Sequence, residues 1–262
     1  MSPRPQILVD TDQLDLTHSR VVEPQRIAAS PHGMVSSAHF CATDIGKQIL
    51  SDGGNAIDAA VATALALGVC EPAASGIGGQ TMMLIHLSNP RRTFALDGSS
   101  RAPNRATREA LSERSQQLRG HGATTVPSTL AALDYACQHY GTMAFSRLLA
   151  PSIELAEKGF PITALKNRLT KRELKKLKAH TAAPLFLKDG SRPYPIGAIF
   201  QQPVLAETLR RIARRGAKDF YRGQIARQIH DDMASHGGLL HRDDLAQIPQ
   251  PIERRPISCH FG

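Results

Sequence analysis

A glycine-rich turn at residues 76–79 contains the residue types that could bind a phosphate group. Its sequence is Gly76-Ile77-Gly78-Gly79, and backbone N–H groups at the start of a helix bind anions. A dinucleotide-binding loop has the order strand, glycines, helix, whereas these glycines follow a predicted helix and precede a predicted strand. No Lys-Ser/Thr pair follows them, which excludes a Walker A loop. We therefore interpret the glycines as positions where a side chain would collide with the preceding helix.

Histidine and aspartate residues near the end of the chain form a second group that could do chemistry. Their spacing matches neither the H-E-x-x-H pattern of zinc hydrolases nor a Cys/His zinc pattern, so we predict no metal site and no organic cofactor. A Ser-His-Asp triad stays open at this level, although no G-x-S-x-G nucleophile elbow is present to anchor one. The residues considered are His230, Asp231, Asp232, His236, His241, Asp243 and Asp244.

Four cysteines could supply a nucleophile, a zinc site or disulfides. They are Cys41, Cys70, Cys137 and Cys259, which lie far apart and form no C-x-x-C pair. This spacing favours reduced, mostly buried thiols in a cytoplasmic setting. A nucleophilic cysteine is the alternative, but no catalytic signature surrounds any of the four.

The composition predicts a globular protein. The chain has 262 residues, of which 41% are hydrophobic and 21% charged, enough for one large domain or two small ones. No stretch approaches the roughly 18 consecutive apolar residues that a membrane span needs, and the N-terminus lacks the apolar core of a signal peptide. We expect a cytoplasmic protein without a membrane partner. Aromatic residues make up only 5% and Trp is absent, which disfavours a stacking platform for nucleobases.

The net charge of +9 comes from two segments. Residues 163–180 and 210–227 each contain seven basic residues and one acidic residue, so together they contribute +12 and the rest of the chain sums to −3. Apolar residues at helical spacing within them predict amphipathic surface helices with solvated outer faces. An anion- or nucleic-acid-binding module built on these helices is the alternative, and it requires binding that weakens steeply with salt.

The pattern of elements predicts an α/β protein that is rich in helix and has a partial sheet. Residues 1–32 predict an extended N-terminal arm, because they contain four prolines without periodicity. Ser36 and Ser37 are suitable N-caps for a first helix that Gly53-Gly54 would end. Asn55 caps a second, almost wholly apolar helix at 56–68, and strands at 80–87 and 93–97 form a hairpin around Asn89-Pro90.

Further helices are predicted at 107–118, 128–140, 143–158, 163–179, 203–215 and 222–236. Residues 254–262 predict a strand that stops in mid-course. An apolar strand at the end of a chain needs a neighbouring strand to pair with.

Several sequence segments, taken in order, resemble the gamma-glutamyltranspeptidase family of glutathione hydrolases and related acylases. The similarity runs from about residue 33 to the end, and the order of the segments makes it specific. The segments are Gly33-Met-Val-Ser-Ser-Ala-His39, Gly53-Gly-Asn-Ala-Ile-Asp-Ala-Ala-Val61, Glu71-Pro72, Ser75-Gly-Ile-Gly-Gly79, Tyr140-Gly-Thr-Met143, Leu149-Ala-Pro-Ser-Ile-Glu-Leu-Ala156, Gly159-Phe-Pro161, Asp219-Phe-Tyr-Arg-Gly223, Gly237-Gly-Leu-Leu240 and Asp243-Asp-Leu245.

The resemblance implies an N-terminal-nucleophile (Ntn) hydrolase with an αββα sandwich, made as a precursor that cleaves itself. The new N-terminal threonine of the small subunit attacks a γ-glutamyl amide, and its free α-amine accepts the hydroxyl proton. The family's threonine lies beyond residue 262, so residues 33–262 correspond to a large-subunit segment that is incomplete at the C-terminus and contains no catalytic residue. We expect the chain alone to be inactive and its partner to be the portion that carries the threonine.

Two further expectations follow from the resemblance. A truncated, non-catalytic fragment that needs a C-terminal piece to fold is an alternative to the enzyme. Because many relatives are exported, export is the alternative to the cytoplasmic location.

The segment that follows the second strand departs from the family pattern. Typical members carry Asp-x-Arg-Glu there, and the arginine holds the α-carboxylate of the γ-glutamyl group in a charge-assisted pair. This chain has Asp97-Gly-Ser-Ser-Arg101, with Ser99 at the arginine position and Ser100 beside it. Three interpretations stay open. Arg101 substitutes for the missing arginine, or the acyl group is not glutamyl, or Arg101 lies on a solvated loop. Ser99, Ser100 and Arg101 are the candidate substrate-binding residues.

Overall fold

The computed structural model describes residues 29–179 and 181–259. The chain divides into two compact units, residues 1–34 and 35–262, and every described helix and strand belongs to the second. Most of the predicted arm, residues 1–28, lies outside the described residues, and residues 29–32 contain no helix or strand.

The described part of the second unit contains helices and short strands in the following order. The helices are α1 Phe40–Ser51, α2 Ala56–Cys70, α3 Arg114–Leu118, α4 Thr129–Tyr140, α5 Phe145–Lys158, α6 Ala164–Lys178, α7 Ala183–Phe186, α8 Pro203–Arg215, α9 Lys218–Arg222, α10 Gln224–Ser235 and α11 Arg242–Ala246. The strands are β1 Thr81–Ser88, β2 Arg91–Gly98, β3 Phe160–Pro161, β4 Ile199–Phe200 and β5 Ile252–Arg254. None of the described helices is long and apolar enough to cross a membrane.

The first two helices form where the sequence predicts them, but the first cap is different. The Nδ1 of His39 accepts a hydrogen bond from the Cys41 N–H at 3.3 Å, so α1 begins at Phe40. The predicted caps Ser36 and Ser37 are therefore wrong, and Ser37 instead donates its hydroxyl to the His39 carbonyl. Asn55 caps α2 as expected.

The main sheet is antiparallel with the strand order β1-β2-β5. Its register pairs Ile85 with Phe94, and both side chains are buried on the face that packs against α4. Leu84 and Ile252 point to the opposite face and are exposed. The predicted hairpin is confirmed, with β1 ending one residue later and β2 starting two residues earlier than expected.

Two predicted elements are wrong in position. The last strand is Ile252–Arg254 rather than 254–262, because its residues pair with 95–97 of β2; residues 255–259 contain no strand, and 260–262 lie outside the described residues. The helix predicted at 107–118 is confined to Arg114–Leu118, since the Gln116 side chain accepts a hydrogen bond from the Glu113 N–H and helix α3 begins there.

The basic helices are present, and most of their charge faces solvent or is paired. Helix α6 buries only Asn167 among its residues, although Lys166 places its ammonium 4.5 Å from the centre of the Phe200 ring. Three arginines of α8 form ion pairs: Arg210 with Glu157, Arg211 with Asp219, and Arg214 with Glu207.

The carboxylate of Asp58 joins the start of α2 to the turn between α4 and α5. It is fully buried and accepts the Thr142 hydroxyl at 2.6 Å and the Met143 N–H at 3.2 Å. It also accepts the Asn55 N–H at 2.9 Å. Burial alone would raise the pKa of Asp58, but the Thr142 hydroxyl and three backbone N–H groups outweigh it and lower the pKa.

We expect Asp58→Asn to reduce the free energy of unfolding by about 2–4 kcal/mol, because an amide presents N–H groups to backbone donors in a buried site. The folded-state pKa is depressed, so the stabilisation from the carboxylate is complete above about pH 4 and is lost as the pH falls through the folded-state pKa. Urea denaturation at pH 7 and pH 3 measures both effects. The exposed Asp44→Asn variant is the control and should change stability by less than about 1 kcal/mol. Equal losses in the two variants would contradict the assignment.

Candidate functional site

The candidate substrate-binding residues leave the sheet at the end of β2. Gly98 is required there, because an added Cβ would lie 2.5 Å from the Thr81 carbonyl oxygen and 2.7 Å from Cβ of Ala132. The Ser128 hydroxyl donates to the Gly98 carbonyl at 2.5 Å. These contacts hold the start of the 99–101 segment against β1 and α4.

Asp97 and Ser99 form the first part of this segment. The Asp97 carboxylate accepts the Ser99 hydroxyl at 2.6 Å and the Ser99 N–H at 3.1 Å. Its other oxygen accepts Nε of Arg254 in β5 at 2.7 Å. The Ser99 hydroxyl, followed by the Arg254 guanidinium, lowers the pKa of Asp97 to about 2. Asp97 is therefore an anion at neutral pH and orients Ser99.

Ser100 connects the segment to the glycine-rich turn. Its N–H and hydroxyl both lie near Oε1 of Gln80, at 3.2 and 3.3 Å. Gln80 directly follows Gly79, whose carbonyl accepts the Ser128 N–H at 2.8 Å. The half-buried Ser100 thus joins the segment after β2 to the glycine-rich turn.

The glycine-rich turn follows α2 and precedes β1, as predicted, but the reason for its glycines is different. An added Cβ would meet no described atom within 4 Å at Gly76 or Gly78, and at Gly79 the nearest would be Thr129 Oγ1 at 3.6 Å. The interpretation that side chains there would collide with the preceding helix is wrong. The turn has open space beside it within the described residues.

Arg101 faces Asp244 of helix α11. Its Nη2 donates to the Asp244 carbonyl oxygen at 2.8 Å, and Nη1 lies 3.8 Å from the carboxylate. Nη1 also lies 3.4 Å from Oδ1 of Asn104. The side chain is 33% exposed, and the main-chain carbonyl accepts the Val126 N–H. The Arg101 guanidinium is therefore held by helix α11 rather than by the segment that carries Ser99 and Ser100.

Asp244 organises the connection that follows Arg101. Its carboxylate is fully buried and accepts the N–H groups of Asn104 at 2.7 Å and His241 at 2.9 Å. Arg105 binds the neighbouring Asp243 at 3.0 Å and lies 3.9 Å from Asp244. The sequence marked Asp243 and Asp244 as possible metal ligands and Asp243-Asp244-Leu245 as a segment similar to the family. Its partners, about 140 residues earlier in the chain, could not be identified from spacing.

Glu253 in β5 gathers a second polar group that sequence reasoning missed. Its carboxylate accepts the hydroxyl groups of Tyr135 and Tyr140 and pairs with Arg92 at 2.5 Å. Burial, followed by the contact with Glu253, raises the pKa of Tyr140 to about 12. Alternation within β5 could have placed Glu253 on the same face as the core residue Leu96, but only after the register was known.

Burial raises the thiol pKa of three of the four cysteines, Cys41, Cys70 and Cys137. All four are free thiols, of which Cys70 and Cys137 are buried. Burial raises the pKa of Cys70 to about 12 and that of Cys137 to about 11. Cys41 is partly buried and Cys259 exposed, so two of the four thiols are buried where the sequence predicts that most of them are.

The histidine and aspartate residues considered as metal ligands do not all come together. His230 and His241 lie near each other, with ring centres 4.9 Å apart. Asp232 and His236 instead lie beside His121, which the spacing of the later residues does not indicate. These three residues can present ligand atoms within 4.8 Å of one another.

Comparison with known proteins decides the family. Residues 42–262 match the family model of gamma-glutamyltranspeptidase. The chain belongs to the gamma-glutamyltranspeptidase family. It is 38% identical over 237 residues to the glutathione hydrolase proenzyme of Escherichia coli (strain K12), covering 87% of this chain and 40% of that protein. The corresponding values for the glutathione hydrolase proenzyme of Bacillus subtilis (strain 168) are 36% over 241 residues, 88% and 41%.

Similarity in structure agrees with similarity in sequence. The fold matches the crystal structure of Helicobacter pylori gamma-glutamyltranspeptidase with a TM-score of 0.84 at 36% identity, covering 88% of this chain and 68% of that chain. The predicted Ntn-hydrolase fold, helix-rich with a partial sheet, is thereby confirmed. The chain spans about 40% of the length of the curated relatives it matches. An acylase is also similar: the Acylase ACY 1 proenzyme of Pseudomonas sp. (strain SE83) is 35% identical over 242 residues, covering 88% of this chain and 43% of that protein.

We expect Asp244→Ala to reduce the free energy of unfolding by about 2–4 kcal/mol, because it removes the buried carboxylate that accepts the N–H groups of Asn104 and His241 and that Arg101 faces. Asp243→Ala is a matched control, since Asp243 is 52% exposed and pairs with Arg105 at the surface. It should lose less than about 1 kcal/mol. Urea denaturation of both variants at neutral pH makes the comparison. A larger loss for Asp243→Ala would overturn the role given to Asp244.

Proposed function

We propose that this chain supplies the large-subunit part of an amidohydrolase that acts on γ-glutamyl or related small amides. In this proposal the nucleophilic threonine belongs to the C-terminal portion of the protein. The observation that carries it is the exposed face of the sheet β1-β2-β5, on the side opposite α4, where three large apolar side chains lie beside the Asp97–Arg254 ion pair. In an αββα sandwich, a second sheet covers that face.

The exposed face is formed by alternate residues of the three strands. Met82 and Leu84 in β1 are 65% and 72% exposed, and Ile252 in β5 is 53% exposed. Ile252 and Met82 are both paired with Asp97 in the register, so the three side chains share one face. Burying a side chain of this size stabilises by roughly 1.5–3 kcal/mol, which favours a covering layer over exposure to water.

The proposed reaction needs only one residue to combine nucleophile and base. The α-amine of the N-terminal threonine accepts the proton of its own hydroxyl while the oxygen attacks the amide carbonyl. The C–N bond then breaks, the amine leaves with a proton, and an acyl-enzyme ester remains. Water or an acceptor amine attacks this ester and releases the acyl group. This chain contributes the walls that hold the acyl group.

We propose that Ser99 and Ser100 contact that acyl group. Both are held by their neighbours at the end of β2, and Ser99 lies at the position of the family's arginine. Because Arg101 already faces Asp244, recognition by neutral hydroxyl groups is favoured over a charge-assisted pair with a glutamyl carboxylate. The similarity to an acylase supports this interpretation. Recognition of an acidic group by Arg101 is the alternative, and it requires the guanidinium to keep one free N–H for substrate.

Assembly can be tested at Leu84. In the protein that carries the C-terminal portion, as one precursor or as two chains, we expect Leu84→Glu to lower the yield of assembled protein at least about ten-fold, because the charge would be buried between two sheets. In this chain alone, the same substitution should leave the urea midpoint unchanged, since Leu84 is exposed there. Leu118→Glu, at a leucine that is 63% exposed in α3, is the matched control and should have no effect in either setting. Equal yields for the Leu84 and Leu118 variants would contradict a covered sheet face.

Acyl-group recognition can be tested by kinetics on the same protein. The substrates are γ-glutamyl p-nitroanilide and an N-acyl p-nitroanilide with a neutral acyl chain. We expect Ser99→Arg to raise kcat/KM for the glutamyl substrate by about ten-fold or more, since a charge-assisted hydrogen bond contributes roughly 1.5–3 kcal/mol. Arg101→Ala should leave KM unchanged for both substrates, with Arg101→Lys as its conservative control.

Each outcome of these kinetics decides one point. A higher KM for the glutamyl substrate in Arg101→Ala, at unchanged stability, would replace the proposal with recognition by Arg101. Turnover by this chain without the C-terminal portion would refute the placement of the nucleophile. A complete protein that folds but hydrolyses neither substrate would refute the amidohydrolase and favour the non-catalytic alternative.

A further inference from the structure

Three side chains from two distant parts of the chain converge beside helix α10. His121 belongs to a short 3-10 turn, His121–Ala123, whereas Asp232 lies in the last turn of α10 and His236 directly follows that helix. One ring nitrogen from each histidine and one carboxylate oxygen of Asp232 lie within 4.8 Å of one another. We propose that His121, Asp232 and His236 bind a divalent transition-metal ion of the Zn²⁺ type.

The distances approach those that such an ion requires, although each histidine faces a different oxygen of Asp232. Nε2 of His121 lies 3.2 Å from one oxygen of Asp232, and Nδ1 of His236 lies 3.4 Å from the other. Tetrahedral zinc with bonds of about 2.0–2.2 Å separates its ligand atoms by roughly 3.3–3.6 Å. Two imidazoles and one carboxylate form a donor set that Zn²⁺ and its neighbours in the first transition series accept, and water can supply the fourth ligand.

The surrounding backbone brings the two histidines side by side. The two imidazole rings stack with centres 4.5 Å apart and an angle of 7° between their planes, so one ring must turn about its Cβ–Cγ bond before both nitrogens face the same ion. Gly238 makes room for this arrangement, because an added Cβ would lie 3.2 Å from Cβ of His121 and 2.5 Å from the sulfur of Met233. Its N–H donates to the Met233 carbonyl at 2.7 Å, which turns the chain back toward His121.

The side chains have freedom to close around an ion. His121 is 21%, His236 40% and Asp232 57% exposed. Nδ1 of His236 also lies 2.8 Å from the Asp232 carbonyl oxygen and 3.1 Å from the Ser235 hydroxyl. Binding therefore exchanges these hydrogen bonds for one metal–nitrogen bond. A bound ion would cross-link α10 to the segment ahead of α4, two parts of the chain that are 111 residues apart.

Isothermal titration with Zn²⁺, using the full chain at pH 7.5, tests the proposal. We expect one site in the unsubstituted chain and at least about ten-fold weaker binding in His121→Ala and in Asp232→Asn, since each removes one of three protein ligands. Asp231→Asn is the matched control on the same helix and should bind like the unsubstituted chain. Mg²⁺, which prefers oxygen ligands, should not compete.

A second measurement separates ligation from a general effect on folding. Co²⁺ in place of Zn²⁺ should give the intense visible absorption of a four-coordinate site in the unsubstituted chain and in Asp231→Asn, and this signal should be lost in His121→Ala. Circular dichroism without metal should show the same thermal unfolding temperature for the Asp232→Asn and Asp231→Asn variants. Zn²⁺ affinity that is equal in the Asp232→Asn and Asp231→Asn variants, or unchanged in His121→Ala, would overturn the site.

Discussion

A single buried carboxylate joins the helices on which the sheet rests. Asp58 completes the cap of α2 and receives the hydroxyl and N–H of Thr142 at the turn between α4 and α5. An added Cβ at Gly141 would lie 2.6 Å from this carboxylate, so the turn can approach only because the residue there is glycine. Without the carboxylate, two backbone segments would lose their acceptor in a site that excludes water. This contact fixes the start of α2 against the turn between α4 and α5. Helix α4 in turn covers the inner face of the sheet, while Met82, Leu84 and Ile252 stay exposed on the outer face.

The charged residues of the candidate site form hydrogen bonds and ion pairs with other parts of the chain. These contacts occupy groups that could otherwise bind a ligand. Asp97 is used by Ser99 and Arg254, and Arg101 is used by Asp244. This arrangement orients the serines while it occupies the cation nearest to them. In the proposed site, Ser99 and Ser100 therefore offer neutral hydroxyl groups to an acyl group, because the nearby Arg101 is held by a different element.

Local sequence determined much of the fold. The Asn55 cap, the apolar run of α2, the hairpin around Asn89-Pro90 and the amphipathic pattern of α6 all depend on neighbours within a few residues, so spacing predicted them. The ordered family segments predicted the fold class. Where local signals were weak, prediction failed: residues 107–113 form turns, and the last strand is displaced toward residue 252 by its pairing with β2.

Only the tertiary structure decided which distant groups meet. Asp244 pairs with Arg101, Glu253 with Tyr135 and Tyr140, and His121 with Asp232, across separations of more than 100 residues. Sequence periodicity reports which face of an element is buried, and it contains no information about the element that packs against that face. The glycines of the 76–79 turn illustrate the same limit, because their type suggested close packing and only the surrounding atoms showed open space. Residue types and spacing thus determined the elements and the family, while the packing of those elements determined the partners of each charge.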